Sequence, residues 1–137
     1  MSRSDAAARR LYAWEDAVVA PRDRSLVPFA QLQSLVDHVW AAEGLRWPPR
    51  VRPLPKQARR TVARATRTAI EAPAELPSWV LLHELAHAMT SDVDGSNAGH
   101  GPQFVATYVR LLVRYAGVDR EMLDTTLGNY GLTATRD

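Results

Sequence analysis

The sequence predicts a single α+β domain in which helices pack on a small sheet of about three strands. Three observations carry this expectation. The stretches 28–44 and 102–116 repeat apolar residues at helical spacing. Between them lies a Pro-rich region whose Thr, Val and Ile residues suit short strands better than helices. The chain has 137 residues, which is enough for one domain with its own core and too few for two. The expected core runs over about residues 26–117. A helix over 4–19 and a segment over 118–137 extend it at either end.

Taken in order, residues 4–19 are Ala-rich and read as a helix. In 28–44, Phe29, Leu32, Leu35, Val36, Val39 and Trp40 form one apolar face, while Gln31, Ser34, Asp37 and His38 fall on the other. Gly44 is a natural stop. Residues 45–57 carry Pro48, Pro49, Pro53 and Pro55, which restricts them to an edge strand or extended loop. One or two short strands are expected over 60–72, ending before Pro73, and residues 72–77 read as a loop. A helix then starts at Pro77-Ser78, with Pro at a first helical position and Ser as a cap. It runs to about Met89 and is apolar on nearly every side, which predicts a central, buried helix. Residues 91–101 form a polar, Gly-rich loop. Pro102 opens the next helix, with Phe104, Val105, Tyr108, Val109, Leu111, Leu112 and Tyr115 facing inward and Arg110 and Arg114 facing solvent. Gly117 ends it. A short helix near 119–127 and a turn over 128–131 complete the chain.

Composition narrows the chemistry. The hydrophobic fraction of 46% and charged fraction of 23% are those of an ordinary globular protein. There is no cysteine, so disulfides, thiolate metal sites and Cys nucleophiles are excluded and any metal must be held by His and carboxylates. Residues 1–20 do not resemble a signal peptide, and no apolar run approaches the roughly 20 residues of a membrane span. The expectation is a cytoplasmic protein with no membrane partner. Net charge is +2, but eight basic residues and no acidic one fall between Arg46 and Arg67: Arg46, Arg50, Arg52, Lys56, Arg59, Arg60, Arg64 and Arg67. This segment 46–67 is either a solvated edge of the sheet or a DNA contact through phosphates. Trp40 and Trp47 are its only aromatic neighbours.

The chemistry-bearing motif is His83-Glu84-Leu85-Ala86-His87. Two His four apart on a helix share a face, one turn apart, where a single ion can bridge them. Glu84 is offset by about 100°, which keeps it off the metal but within reach of a water there, the place of a general base. Two core His satisfied by hydrogen bonds would be the bland alternative. Three polar side chains on an otherwise apolar helix are costly without a shared purpose, which weighs against it.

Catalytic zinc takes three protein ligands and keeps one position open. A known pattern with a His six residues after the second and a Gly between fails here, since those positions are Val93 and Thr90. A Glu from the next helix would have to be Asp119 or Glu121 in its place, because residues 95–118 hold no acid. His100 remains, flanked by Gly99 and Gly101, which let the backbone turn tightly. The fourth His, His38, reads as a surface residue. Asp92 and Asp94 read as turn residues, with orientation of a ligand His as the other role.

With His-Glu-Leu-Ala-His-Ala at 83–88 and His-Gly-Pro-Gln-Phe at 100–104, the chain resembles the SprT-like metallopeptidases, the group of the Spartan and Wss1-type proteases. The overlap covers about residues 76–116. It implies a zincin-like minimal metallopeptidase domain, with His83, His87 and His100 as Zn2+ ligands and Glu84 as the base. The usual Cys of the first motif is Ala86 here, and no Cys-rich ribbon follows. The expected activity is hydrolysis of peptide bonds in a protein or peptide substrate by metal-activated water; Tyr130, Tyr108 and Tyr115 are candidate donors to the oxyanion, although each reads first as a core or surface aromatic. The other readings are a non-catalytic zincin-fold module that holds metal structurally, a DNA-associated protein-binding domain, and a nucleic-acid-binding protein with an incidental His pair.

Overall fold

The computed structural model describes residues 3–55, 63–91 and 99–135. Its elements in chain order are α1 (Arg3–Trp14), a π-helical segment (Glu15–Val19), a single 3-10 turn (Ala20–Arg22), β1 (Leu26–Pro28), α2 (Phe29–Ala42), β2 (Arg50–Pro53), β3 (Arg64–Ala65), β4 (Ala69–Ala72), β5 (Glu75–Pro77), α3 (Ser78–Thr90), α4 (Pro102–Ala116) and α5 (Arg120–Asn129). The α+β class is as expected: helices around a three-stranded sheet of order β2-β4-β3. β2 runs parallel to β4, pairing Val51 with Ile70, and β3 runs antiparallel to it. Pro53 ends β2 at the sheet's edge, where its missing N–H costs no ladder bond. The Gln33 side chain of α2 closes that edge: its oxygen accepts from the Val51 N–H at 2.7 Å and its nitrogen donates to the Pro49 carbonyl at 3.0 Å.

A second sheet was not expected. Residues 75–77 pair antiparallel with 26–28, Val27 opposite Leu76, in a region that reads as loop. Three residues ending in proline carry no strand signal of their own. Their order comes from the partner strand and from burial, since Leu76 is fully buried and Val27 nearly so. The ladder has a positional consequence. β1 leads directly into α2 and β5 into α3, so the two helix starts are tied together, with Phe29 N–H donating to Ala74 and Ser78 N–H to Ser25. Ser78 does not cap α3 as expected. Pro77 occupies the cap position, and the Ser78 hydroxyl donates to the Asp23 carboxylate instead.

α3 is the central element. Val80, Leu81, Leu82, Leu85, Ala86 and Ala88 are buried along with His83 and Glu84, as an all-round apolar helix requires. It packs chiefly on α4, whose Phe104, Val105, Tyr108, Leu111 and Leu112 are buried. Gly117 terminates α4 in the left-handed conformation at φ 68°. Arg110 and Arg114 do not simply face solvent: both pair with Glu43 at the end of α2, at 2.9 and 2.7 Å, and the Tyr115 hydroxyl donates to the same carboxylate. Leu35 and Phe29 were expected on the inner face of α2. Leu35 is exposed and Phe29 only half-buried.

The N-terminal region is not appended to the core but is part of it. Leu11, Trp14 and Val19 are fully buried, and the Trp14 indole N–H donates to Thr126 Oγ1 of α5 at 2.9 Å. Helix α1 therefore joins the front of the molecule to its last helix. No helix among the described residues is long and apolar enough to cross a membrane.

Candidate metal centre

α3 carries His83 and His87 on one face, and the loop ahead of α4 returns His100 to it. The three side chains each offer one ring nitrogen, and these nitrogens all lie within 4.8 Å of one another. His87 Nε2 and His100 Nε2 are 2.9 Å apart. Gly99 turns the chain at φ +67°, a conformation a side chain would strain. Gly101 has no such role: its φ of −74° is ordinary for any residue, and it serves as the residue before Pro102 at the start of α4. Phe104, one turn into α4, lies against all three imidazoles, with ring centroids 4.4 Å from His87 and 5.1 Å from both His83 and His100.

The arrangement is consistent with neutral, electron-pair-donating imidazoles. Burial pushes His87 down to about 3 and His100 to about 4, in each case reinforced by the positive potential of His83. His87 Nδ1 is buried with no hydrogen-bond partner among the described residues. His83 behaves differently. Burial opposes its charged form, but the hydrogen bond and charge of Glu15 outweigh this and raise it.

Glu15 was absent from the expected site. Its carboxylate oxygen lies 2.6 Å from His83 Nδ1 and accepts from the Tyr108 hydroxyl at 2.7 Å, and all three groups are buried. With Nδ1 engaged, His83 presents Nε2 to the cluster. Carboxylate support of this kind fixes the tautomer and ring orientation of a ligand His. Glu15 opens the π-helical segment, an irregularity frequent at functional sites. The signal was present in the sequence: Leu11, Trp14 and Val18 mark an apolar stripe at helical spacing, and Glu15 interrupts it at a position that belongs to the core.

Glu84 is 6% exposed, beside His83. Burial pushes its carboxyl up to about 7; the His83 charge works against this and the Glu15 charge adds to it. A carboxyl poised near neutrality can both take and return a proton.

Of the tyrosines considered as oxyanion donors, Tyr108 is fully buried with its hydroxyl committed to Glu15, and Tyr115 donates to Glu43. Tyr130 sits in the turn that ends α5. A further phenol, Tyr12 of α1, which the motif does not include, also meets the cluster. Its ring stands 6.4 Å from His83 and 5.6 Å from His100, and it is half-exposed. Burial and the charges of Glu15 and Glu84 raise its phenol.

Asp119, weighed as a ligand, instead caps α5 by accepting from the Met122 N–H. His38 is exposed on α2, edge-on to Tyr115. Asp92 and Asp94 lie outside the described residues, as do Lys56, Arg59 and Arg60 of the basic segment. Within that segment Arg64 pairs with Glu71, and Arg67 donates to the Trp47 and Arg46 carbonyls while stacking on Trp40 at 4.7 Å.

The three His fit a metal ion by donor chemistry. Imidazole suits zinc and its first-row neighbours. Three nitrogens on one tetrahedral ion with bonds of about 2.0–2.1 Å stand roughly 3.3 Å apart, between the 2.9 Å of the closest pair and the 4.8 Å that bounds the trio. His83, His87 and His100 can therefore hold a metal ion. Comparison with protein-family models, with curated proteins and with solved structures returns no match.

Proposed function

We propose that the protein is a zinc-dependent metallopeptidase that cleaves peptide bonds, with His83, His87 and His100 as ligands and Glu84 as general base. The observation that carries this reading is the pairing of a three-His cluster with the buried carboxyl of Glu84, the residue next to His83 on the same helix. A purely structural site takes four protein ligands and needs no base, whereas only three are gathered among the described residues. Likeness of the motif at 83–88 and 100–104 to the SprT-like metallopeptidases supports the same reading.

Zinc at such a site supplies Lewis acidity toward a carbonyl oxygen and lowers the pKa of water toward about 7. The chain's own residues do the rest. Glu15 holds His83 in the tautomer that offers Nε2. Phe104 and the apolar wall of α3 limit water around the imidazoles. Glu84 takes a proton from the attacking water on its carboxylate and delivers it to the departing amine nitrogen.

The test has two parts. Purified protein should contain about one equivalent of zinc, lost on treatment with chelator. Glu84→Gln should keep the zinc and lose about 10²–10⁴-fold in hydrolysis of casein or a peptide library. Equal activity of the two proteins would overturn the assignment of Glu84, and absence of metal would overturn the site. DNA contact through the basic segment draws on Arg46, Arg50 and Arg52, whose side chains are exposed. Binding through them should weaken steeply with salt.

A further inference from the structure

The walls of the three-His cluster are unequal. Phe104, on the α4 side, is fully buried. On the α1 side stands Tyr12, 49% exposed, its ring against His83 and His100. A molecule that reaches the imidazoles from solvent on that side meets this phenol. Its hydroxyl makes no hydrogen bond among the described residues. Tyr108, the other phenol against His83, is sealed in the core and committed to Glu15. A peptide carbonyl attacked at this site develops negative charge on its oxygen and needs a donor aimed there, in addition to a metal ion. A neutral phenol can supply one without giving up its proton.

We propose that Tyr12 is a substrate-facing residue of this centre, donating its hydroxyl to a ligand oxygen held at the three-His cluster. In peptide hydrolysis that oxygen is the carbonyl oxygen as it becomes an oxyanion. The O–H bond stays intact throughout, so the step transfers no proton. This inference rests on the metallopeptidase reading for the identity of the substrate, and on the cluster alone for the ligand contact.

Its placement is fixed by elements that the motif does not include. Trp14 and Leu11, its neighbours on α1, are buried, and Glu15 binds His83 one turn after Tyr12. The helix that presents the phenol is thus anchored on both sides of it.

The experiment uses the full chain loaded with zinc and acetohydroxamic acid as the probe, an oxygen-chelating anion that needs no turnover. Affinity is measured by calorimetry for wild type and Tyr12→Phe, alongside zinc content and melting temperature. Tyr12→Phe should keep its zinc and its melting temperature, bind the hydroxamate about 10-fold more weakly and lose about 10²-fold in kcat against peptides with little change in KM. Equal hydroxamate affinity in a zinc-loaded Tyr12→Phe overturns the proposal and leaves the peptidase reading standing. Weaker hydroxamate binding by Tyr12→Phe, with no peptide cleaved by wild type, supports the contact and overturns the peptidase reading. Failure of wild type to take up zinc overturns both.

Discussion

His83 Nδ1 lies 2.6 Å from a carboxylate oxygen of Glu15, a residue 68 positions earlier in the chain. This contact makes the N-terminal region part of the candidate metal centre. It also gives the first prediction. Glu15→Gln should preserve the fold and weaken zinc about 10- to 100-fold, because the His83 ring loses the charge that fixes its orientation. Competition against a chelator of known affinity measures it. Glu15→Ala should in addition destabilise the protein by about 1–3 kcal/mol, since it leaves the buried Tyr108 hydroxyl without its partner. Unchanged zinc affinity in Glu15→Gln would show that the carboxylate serves packing alone.

Metal should stabilise the folded state by linkage. At free zinc a thousand times the dissociation constant, the gain is about 4 kcal/mol. The melting temperature should therefore rise on zinc addition and return on chelation. His100→Ala should abolish the rise while keeping the metal-free melting temperature near that of wild type, because His100 sits in a loop and is only partly buried.

Trp14 fills the core beneath the site. Trp14→Ala should cost about 3–5 kcal/mol, read in a denaturant melt. A cost under about 1 kcal/mol would mean that α1 packs on an already complete core.

Glu43 should set part of the acid limb of stability. Burial opposes its charge, but hydrogen bonds from Tyr115 and Arg110 and the charges of Arg110 and Arg114 prevail and hold its carboxyl below the ordinary value. A depressed folded pKa adds stability that is complete above the unfolded value near 4.5 and fades as pH falls through the folded value. Wild type should thus lose stability below about pH 4.5, and Glu43→Gln should start lower at pH 7 and show a shallower acid limb. Parallel acid limbs for the two proteins would remove Glu43 from this role.

Trp47 holds a positive φ of 58° while 78% exposed. Its carbonyl is pinned by Arg67, so the surrounding loop enforces a conformation a bulky side chain disfavours. Trp47→Gly relieves about 1–2 kcal/mol of left-handed strain and costs about 0.5–1 kcal/mol in chain entropy. The variant should melt at a temperature equal to or a few degrees above wild type. A fall of several degrees would mean that the indole makes contacts worth more than the strain.

The helices were legible because each carries its own periodicity and punctuation. The run 28–44 appeared as α2, Gly117 stopped α4, and the apolar stretch from Trp79 to Met89 became the central helix. His83, Glu84, His87 and His100 could be singled out as a candidate site because two His lie one helical turn apart and a third follows in a Gly-flanked loop. These are local properties, and local spacing records them.

What the tertiary structure decided has no local signature. β5 exists because Leu76 meets Val27, and neither segment is strand-like alone. Tyr108 could be read from the sequence either as a core aromatic or as an oxyanion donor; packing of α4 on α3 placed it in the core with its hydroxyl on Glu15. Glu15 and Tyr12 came to the imidazoles only because Leu11 and Trp14 anchor α1 in the core, bringing residues about seventy positions from the motif against it. Sequence spacing specifies chemistry within one helix, while the partners of that chemistry are chosen by which faces must be buried together.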